Sequence, residues 1–399
     1  MLRALLTIAV LLLAPAAAAQ PPPGVTEAGV DRAALAAALR DLCGRDVALL
    51  GEADHGDGRT VAFKSALVRA LVTRCGFNAV FFEASFYDFL EYRRQAQRGQ
   101  AVSPDQIAAA IGGIWRYDEE MVPLIPFLWQ RSLTGGLILG GLDDQLGSFG
   151  AFYANDAMPA ELAGYLAGDR RAECGELLRR RIHSDFGRRY AAADRARIQT
   201  CLAEIRVAVG AGAADRATRE QVLALLASFE RAVGRDLTDF ATYPRERDRS
   251  MYLNFRWLAD RLPRRSRIIV WAATSHVAKD ASATRDFAGG WNFGAYVHQA
   301  YGRRAFALGF SAYSGAHYWS RNEPNQALAV APPEALEARA LAGSGRDTLY
   351  LDAARLAQLG PLPGAAFMHQ PATVRWNDVL DGLVVFRAER PTQRIGPAH

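Results

Sequence analysis

Short apolar runs alternate with longer stretches of three- and four-residue apolar spacing along most of the chain. Val47–Leu50, Ala79–Phe82, Leu137–Leu139, Ile268–Trp271 and Ala305–Phe310 are too short for helices and read as strands apolar on both faces. Between the first two, Phe63, Ala66, Leu67, Ala70 and Leu71 recur at helical spacing, and Gly76 stands where a C-cap glycine belongs. This is a β-α-β unit. Asp31 caps an alanine-rich helix through Leu42, Phe86–Gln97 forms another, and Ser103 caps a third. A helix over Glu119–Arg131 is bent early by Pro123 and Pro126. From about Phe149 to Phe240 the pattern is helical, rich in alanine and arginine, with no strand-like run. Amphipathic helices follow at Arg245–Leu262 and Trp291–Tyr301, and the late runs Thr348–Leu351 and Leu383–Phe386 complete the sheet. The expected fold is α/β: a mostly parallel central sheet flanked by helices. An all-helical insertion, about residues 149–245, caps the C-terminal edge of its strands.

Composition narrows the setting. Half of the 399 residues are hydrophobic, enough for a large core. The formal charge of +5 comes from arginine-rich helices without a basic block interleaved with aromatics, so no nucleic-acid partner is expected. Met1–Arg3 is a short positive start, Ala4–Ala14 is apolar, and Ala16–Ala19 offers an Ala-x-Ala cleavage site. Residues 1–19 therefore read as a secretory signal, cleaved near Ala19/Gln20, with residues 20–399 forming one secreted or periplasmic domain. No later segment is apolar enough to span a bilayer. In an oxidising compartment the four cysteines pair most simply as Cys43–Cys75 and Cys174–Cys201, among three possible pairings. The sequence leaves the oligomeric state open. His183, in the insertion, reads as a surface residue.

The strand exits carry the chemistry. Glu52 and His55 follow the first strand, Glu83 the second, Asp143 the third and His276 the fourth. Parallel strands deliver such residues to a shared edge. A covalent nucleophile is missing: Ser275 adjoins His276 but should point the other way, and no Gly-x-Ser-x-Gly elbow occurs. What remains is an acid–base set in which a histidine held by carboxylates activates water for attack on a carbonyl. The rival reading places Zn²⁺ or Mn²⁺ on the same residues, although the ligand spacing is not that of a zinc motif.

At these residues the chain resembles the erythromycin esterase family. The matching blocks are Gly51-Glu52-Ala53-Asp54-His55-Gly56, Lys64, Gly76–Glu83, Gly141-Leu142-Asp143-Asp144-Gln145, Arg247–Met251 with Asn254 and Trp257, and Trp271-Ala272 with His276. Gly294, Gly302 and Asp381-Gly382 also fall where the pattern expects them. The resemblance implies metal-independent opening of an ester or lactone, as in erythromycin-type macrolide resistance, with no cofactor. His55 would be the general base, Glu52 and Glu83 would orient it, and His276 would be a second essential histidine. Lys64 is one of only two lysines in the chain, and it or Arg69 would stabilise the oxyanion. Two departures bear on the substrate: Arg59 stands where the family has a glutamate, and Ala273-Thr274 where it often has His-Asn. Asp54, Arg59, Arg69, Asp143 and Trp115 are the expected substrate contacts, with Phe149, Phe152 and Tyr153 lining an apolar cleft beside Trp115. The same resemblance extends to haem-uptake proteins, so a non-catalytic ligand-binding protein is the alternative from another class.

Overall fold

The computed structural model describes residues 29–145, 151–183, 192–212, 215–235, 239, 241–318 and 323–395. The expected signal segment and Phe149 lie outside them. Its centre is a seven-stranded sheet. All seven strands come from runs read in the sequence, the first five being β1 (Val47–Leu50), β2 (Ala79–Ser85), β3 (Ile138–Asp143), β4 (Ile268–Trp271) and β5 (Ala305–Ala312). Two short ribbons were not foreseen: β6 (Gly315–His317) with β7 (Gln326–Leu328), and β9 (Pro361–Phe367) with β10 (Gln370–Arg375). β8 (Thr348–Asp352) and β11 (Gly382–Phe386) complete the sheet.

The strand order is β3-β2-β4-β1-β5-β11-β8, parallel throughout except for β8, which runs antiparallel to β11 at the edge. From β1 the chain walks through β2 and β3 to one edge, then returns to β4 and walks through β5 towards the other. The walk reverses at the β4–β1 pair, which makes the crevice beyond those strand ends the natural ligand site of such a sheet.

Two helical layers cover the sheet. Alternate residues Ala48, Leu50, Val80, Phe82, Ile269 and Trp271 pack on α1 (Arg32–Leu42), α2 (Gly58–Arg74), α3 (Phe86–Gln97), α4 (Pro104–Ile111) and α5 (Leu124–Leu133). α2 ends as its sequence requires: Gly76 adopts φ 72° and lets the Phe77 amide donate to Leu71 O at 3.2 Å. α5 starts five residues later than expected, because Pro123 and Pro126 fit only at a helix entry, where no amide is needed.

Residues Val47, Leu49, Ala79, Phe81, Ile268 and Val270 face the opposite layer. It contains α6 (Ala157–Ala163), α7 (Gly168–Ile182), α8 (Ala192–Ala211), α9 (Arg216–Gly234), α10 (Tyr243–Ala259), the single turn α11 (Thr274–Val277) and α12 (Phe293–Tyr301). The insertion thus extends the core over one face of the sheet. α13 (Leu336–Leu341), α14 (Ala353–Leu359) and α15 (Trp376–Val379) pack with β9 and β11 in a third cluster.

The cysteines pair as Cys43–Cys75, joining the ends of α1 and α2, and Cys174–Cys201, joining α7 to α8. Two disulfides, with no described helix long and apolar enough to cross a membrane, are compatible with an extracellular protein.

Candidate active site

A cavity of about 260 Å³ opens beyond the carboxyl ends of β1, β2 and β4, where the sheet order reverses. Asp54, His55, Glu83 and His276 all line it, so residues from three separate strand exits share one space. Ala273 lines it too, as the sequence leads one to expect, whereas Tyr243, Arg247, Ser275, Asp286, Phe287 and Met368 were not anticipated there. Ser275 joins His276 there because the chain enters a helical turn after Ala273, so neighbouring side chains do not point to opposite sides.

His55 stands on the loop between β1 and α2. Its Nδ1–H donates to Glu52 Oε1 at 2.6 Å, while about 35% of the side chain is exposed. Glu52 is fully buried and held from two other sides. Trp115 Nε1–H donates to Oε1 at 3.1 Å, and Lys64 Nζ donates to Oε2 at 2.7 Å. Lys64 also lies 4.2 Å above the Trp271 ring. Burial pulls the His55 pKa down, but the Glu52 hydrogen bond and the charges of Glu52, Glu83 and Asp54 outweigh it and raise it to about 9. Burial likewise draws Lys64 down, against the pull of Glu52, to about 8.

His276 is held differently. Its Nδ1 sits 2.7 Å from Asp248 Oδ1 on α10, and its Nε2 lies 3.1 Å from both Glu83 Oε1 and Arg247 Nη1. Burial opposes the charged ring, yet Asp248 and Glu83 raise its pKa to about 10. Arg247 Nη2 bridges Glu83 Oε1 at 2.8 Å and Asp143 Oδ2 at 2.7 Å. Burial pushes the Glu83 carboxyl up, but His276 and Arg247 hold it well below the usual carboxylate range. Its other oxygen accepts the Ala273 amide at 2.9 Å. A bulge at the end of β2, where Glu83 and Ala84 oppose the single Leu142, bends the strand at this point. Asn292 then clamps the His276 turn, donating to the carbonyls of Ser275, His276 and Ala278.

Several expected contacts lie elsewhere. Arg59 turns away from the cavity; its guanidinium donates to Ala388 O and Thr348 Oγ1 and covers Phe386. Arg69 lies on Phe127 and donates to Pro123 O, against α5. Neither is placed to meet an oxyanion, because both sit on faces of α2 turned from the strand ends. Lys64 is spent on Glu52 inside the protein. Glu52 and Trp115 likewise form the support behind His55, and Asp143 stands behind Arg247. Phe152 and Tyr153 pack in the core of the insertion, Tyr153 donating to Glu161 Oε2, and no described residue of α6–α9 lines the cavity. Arg247 and Asp248 belong to the Arg247–Met251 block, whose sequence alone implies no role for either. A charge on the same helical stripe as Met251 and Phe255 was the available signal for Asp248.

Residues 72–381 match the family described as Erythromycin esterase. The chain belongs to the erythromycin esterase family. Glu83, Asp143, Arg247 and His276 fall inside the matched stretch, whereas Glu52 and His55 precede it. Over 158 residues the chain is 25% identical to the Bacillus subtilis (strain 168) protein named "Putative hydrolase YbfO". That stretch is 39% of this chain and 34% of the relative, so the chain spans about a third of the relative's length. The family match supports a hydrolase.

Among solved structures, a Bacillus cereus protein aligns with a TM-score of 0.69 at 17% identity, covering 91% of this chain and 93% of that one. A succinoglycan biosynthesis protein aligns with a TM-score of 0.68 at 14% identity, covering 90% and 92%. A mutant of the erythromycin esterase EreC in its open conformation aligns with a TM-score of 0.63 at 13% identity, covering 91% and 95%. At these identities the likeness establishes the shared fold.

Proposed function

We propose that this protein is an exported hydrolase that opens an ester or lactone with water activated at His55, without a covalent intermediate. One observation carries the reading: a part-exposed imidazole lines the cavity while its Nδ1–H is fixed by a buried carboxylate. With Nδ1 committed, Nε2 is the nitrogen left to take a proton from water. Glu52, Glu83 and Asp54 stabilise the imidazolium that forms. The same charges protonate His55 at neutral pH, so the base must first lose that proton, and turnover should climb towards pH 9. Arg247 and His276 place positive charge on the cavity wall, where an oxyanion would develop.

No step is routed through a metal. Lys64 and Arg247 already neutralise Glu52 and Glu83, and a divalent ion would have to displace both cations. At about 260 Å³ the cavity lies just below the usual range for ligand pockets, ~300–1,000 Å³. It therefore suits the reacting ester and its adjoining groups, with the bulk of a macrolactone outside.

Hydrolysis of a panel of aryl esters, aliphatic lactones and macrolides by the full chain tests the reading. Turnover that rises from neutrality to the alkaline side of pH 9 and vanishes in His55→Ala is the expected result. A folded wild type inert on the whole panel, or a His55→Ala variant equally active, would overturn it.

A further inference from the structure

A second cluster lies beside the cavity and takes no part in the proposed hydrolysis. We propose that Asp57, His317 and His369 form a binding site for a divalent first-row transition-metal ion of the zinc type. One ligand atom from each residue lies within 4.8 Å of the others, and among the described residues this is the trio so arranged. Two imidazoles and a carboxylate are the donor set that borderline dications prefer.

Three segments far apart in sequence build the cluster. Asp57 precedes α2, His317 ends β6, and His369 occupies the turn between β9 and β10. Asp57 stands at the N-cap of α2 but makes no side-chain cap bond. That work falls to Glu389, whose carboxylate accepts from the Arg59 amide at 2.7 Å and the Thr60 hydroxyl at 2.8 Å. Asp57 is thereby released: Oδ2 accepts the Asp54 amide at 2.9 Å, and Oδ1 lies 2.8 Å from His369 Nε2.

His317 has the outer support typical of a metal-bound imidazole. Its Nδ1 faces Asp54 Oδ1 at 3.4 Å, so an ion would take the Nε2 side. The ring centres of His317 and His369 stand 4.9 Å apart.

The turn carrying His369 is also unusual. Met368 and His369 have φ of 48° and 53°, the left-handed backbone that two-residue hairpins normally assign to Asn and Gly. It presents His369 to Asp57 and Met368 to the cavity. With bonds near 2.0–2.1 Å, tetrahedral donors stand roughly 3.4 Å apart. Binding would therefore lengthen the Asp57–His369 contact slightly and draw His317 in. The ion would tie the loop bearing Asp54 and His55 to both ribbons.

The test uses tag-free full-length protein, stripped with chelator and titrated with ZnCl₂ by calorimetry, with metal analysis after dialysis. One zinc per chain is expected in the wild type and in His55→Ala, and none in His317→Ala/His369→Ala. Asp54→Asn should weaken zinc about 10–100-fold, as loss of a supporting carboxylate does. Co²⁺ should give the intense visible bands of a four-coordinate site, absent from the double variant.

On the wild type alone, zinc should shield His317 and His369 from carbethoxylation and leave the exposed His183 reactive, a readout independent of whether the variants fold. Wild type that retains no zinc, or zinc that shields His55 and is lost in His55→Ala instead, would overturn the site. Because His55→Ala keeps this zinc while losing hydrolysis, failure of the metal site and failure of the esterase reading are separable.

Discussion

His55 and His276 border the same cavity, and their surroundings assign them different tasks. His55 has one hydrogen-bonded carboxylate behind it and about 35% of its side chain in the open. His276 is about 10% exposed and wedged between Asp248, Glu83 and Arg247. An imidazole that exchanges protons with a substrate needs access on one side and a fixed partner on the other, and His55 has both. One pinned between two acids is a lasting positive charge that also holds three chain segments together. Equal membership of a cavity wall does not imply equal function. The count and exposure of partners decide it.

The sharpest way to break this contrast is to remove each ring. His55→Ala should cost about 10²–10⁴-fold in kcat on a reactive ester. His276→Ala should strand Asp248 as a buried charge, while Glu83 keeps Arg247. Its cost is about 3–5 kcal/mol of stability, read by urea denaturation, whatever it does to turnover. A His276→Ala protein as stable as the wild type would show that the clamp is not structural. Glu52→Ala probes the support behind His55: Lys64 would be left buried without its carboxylate, again at about 3–5 kcal/mol.

A smaller effect concerns pH. The folded pKa of His55, about 9, stands above its ordinary 6.5. Its bound proton therefore stabilises the fold fully below pH 6.5, and that contribution is lost as pH rises through 9. The stability advantage of wild type over His55→Ala should shrink across this window while wild-type turnover grows. Denaturation series at several pH values measure it, and a widening advantage would contradict the assignment. Smallest of all, Arg59→Ala and Arg69→Ala should leave kcat/KM unchanged within about twofold, since both side chains point away from the cavity. A large loss in either would put the substrate on the other side of α2.

Legibility followed how local each signal was. β1, β2 and β4 were readable because a strand apolar on both faces has few other homes, and parallel strands deliver their exits to one edge. The rotation of α2 about its axis was not readable at polar positions. Lys64, Arg59 and Arg69 all lie on that helix, and only packing decided that the first meets Glu52 while the others meet Thr348 and Pro123. The β9–β10 ribbon escaped notice because Pro361, Pro363 and Gly364 interrupt any alternation.

The amino-acid sequence by itself determined the strands of the central sheet, its parallel character and the acids and imidazoles at the strand exits. Hydrophobic spacing reports burial one residue at a time, and the exits follow directly from it. Only the tertiary structure decided which of those groups touch. Insertion of β4 between β1 and β2 brings residue 276 beside residue 83, and the helix at 243–259 adds Arg247 and Asp248 from outside the sheet. Contacts across such separations depend on how whole layers dock, and no local pattern encodes that.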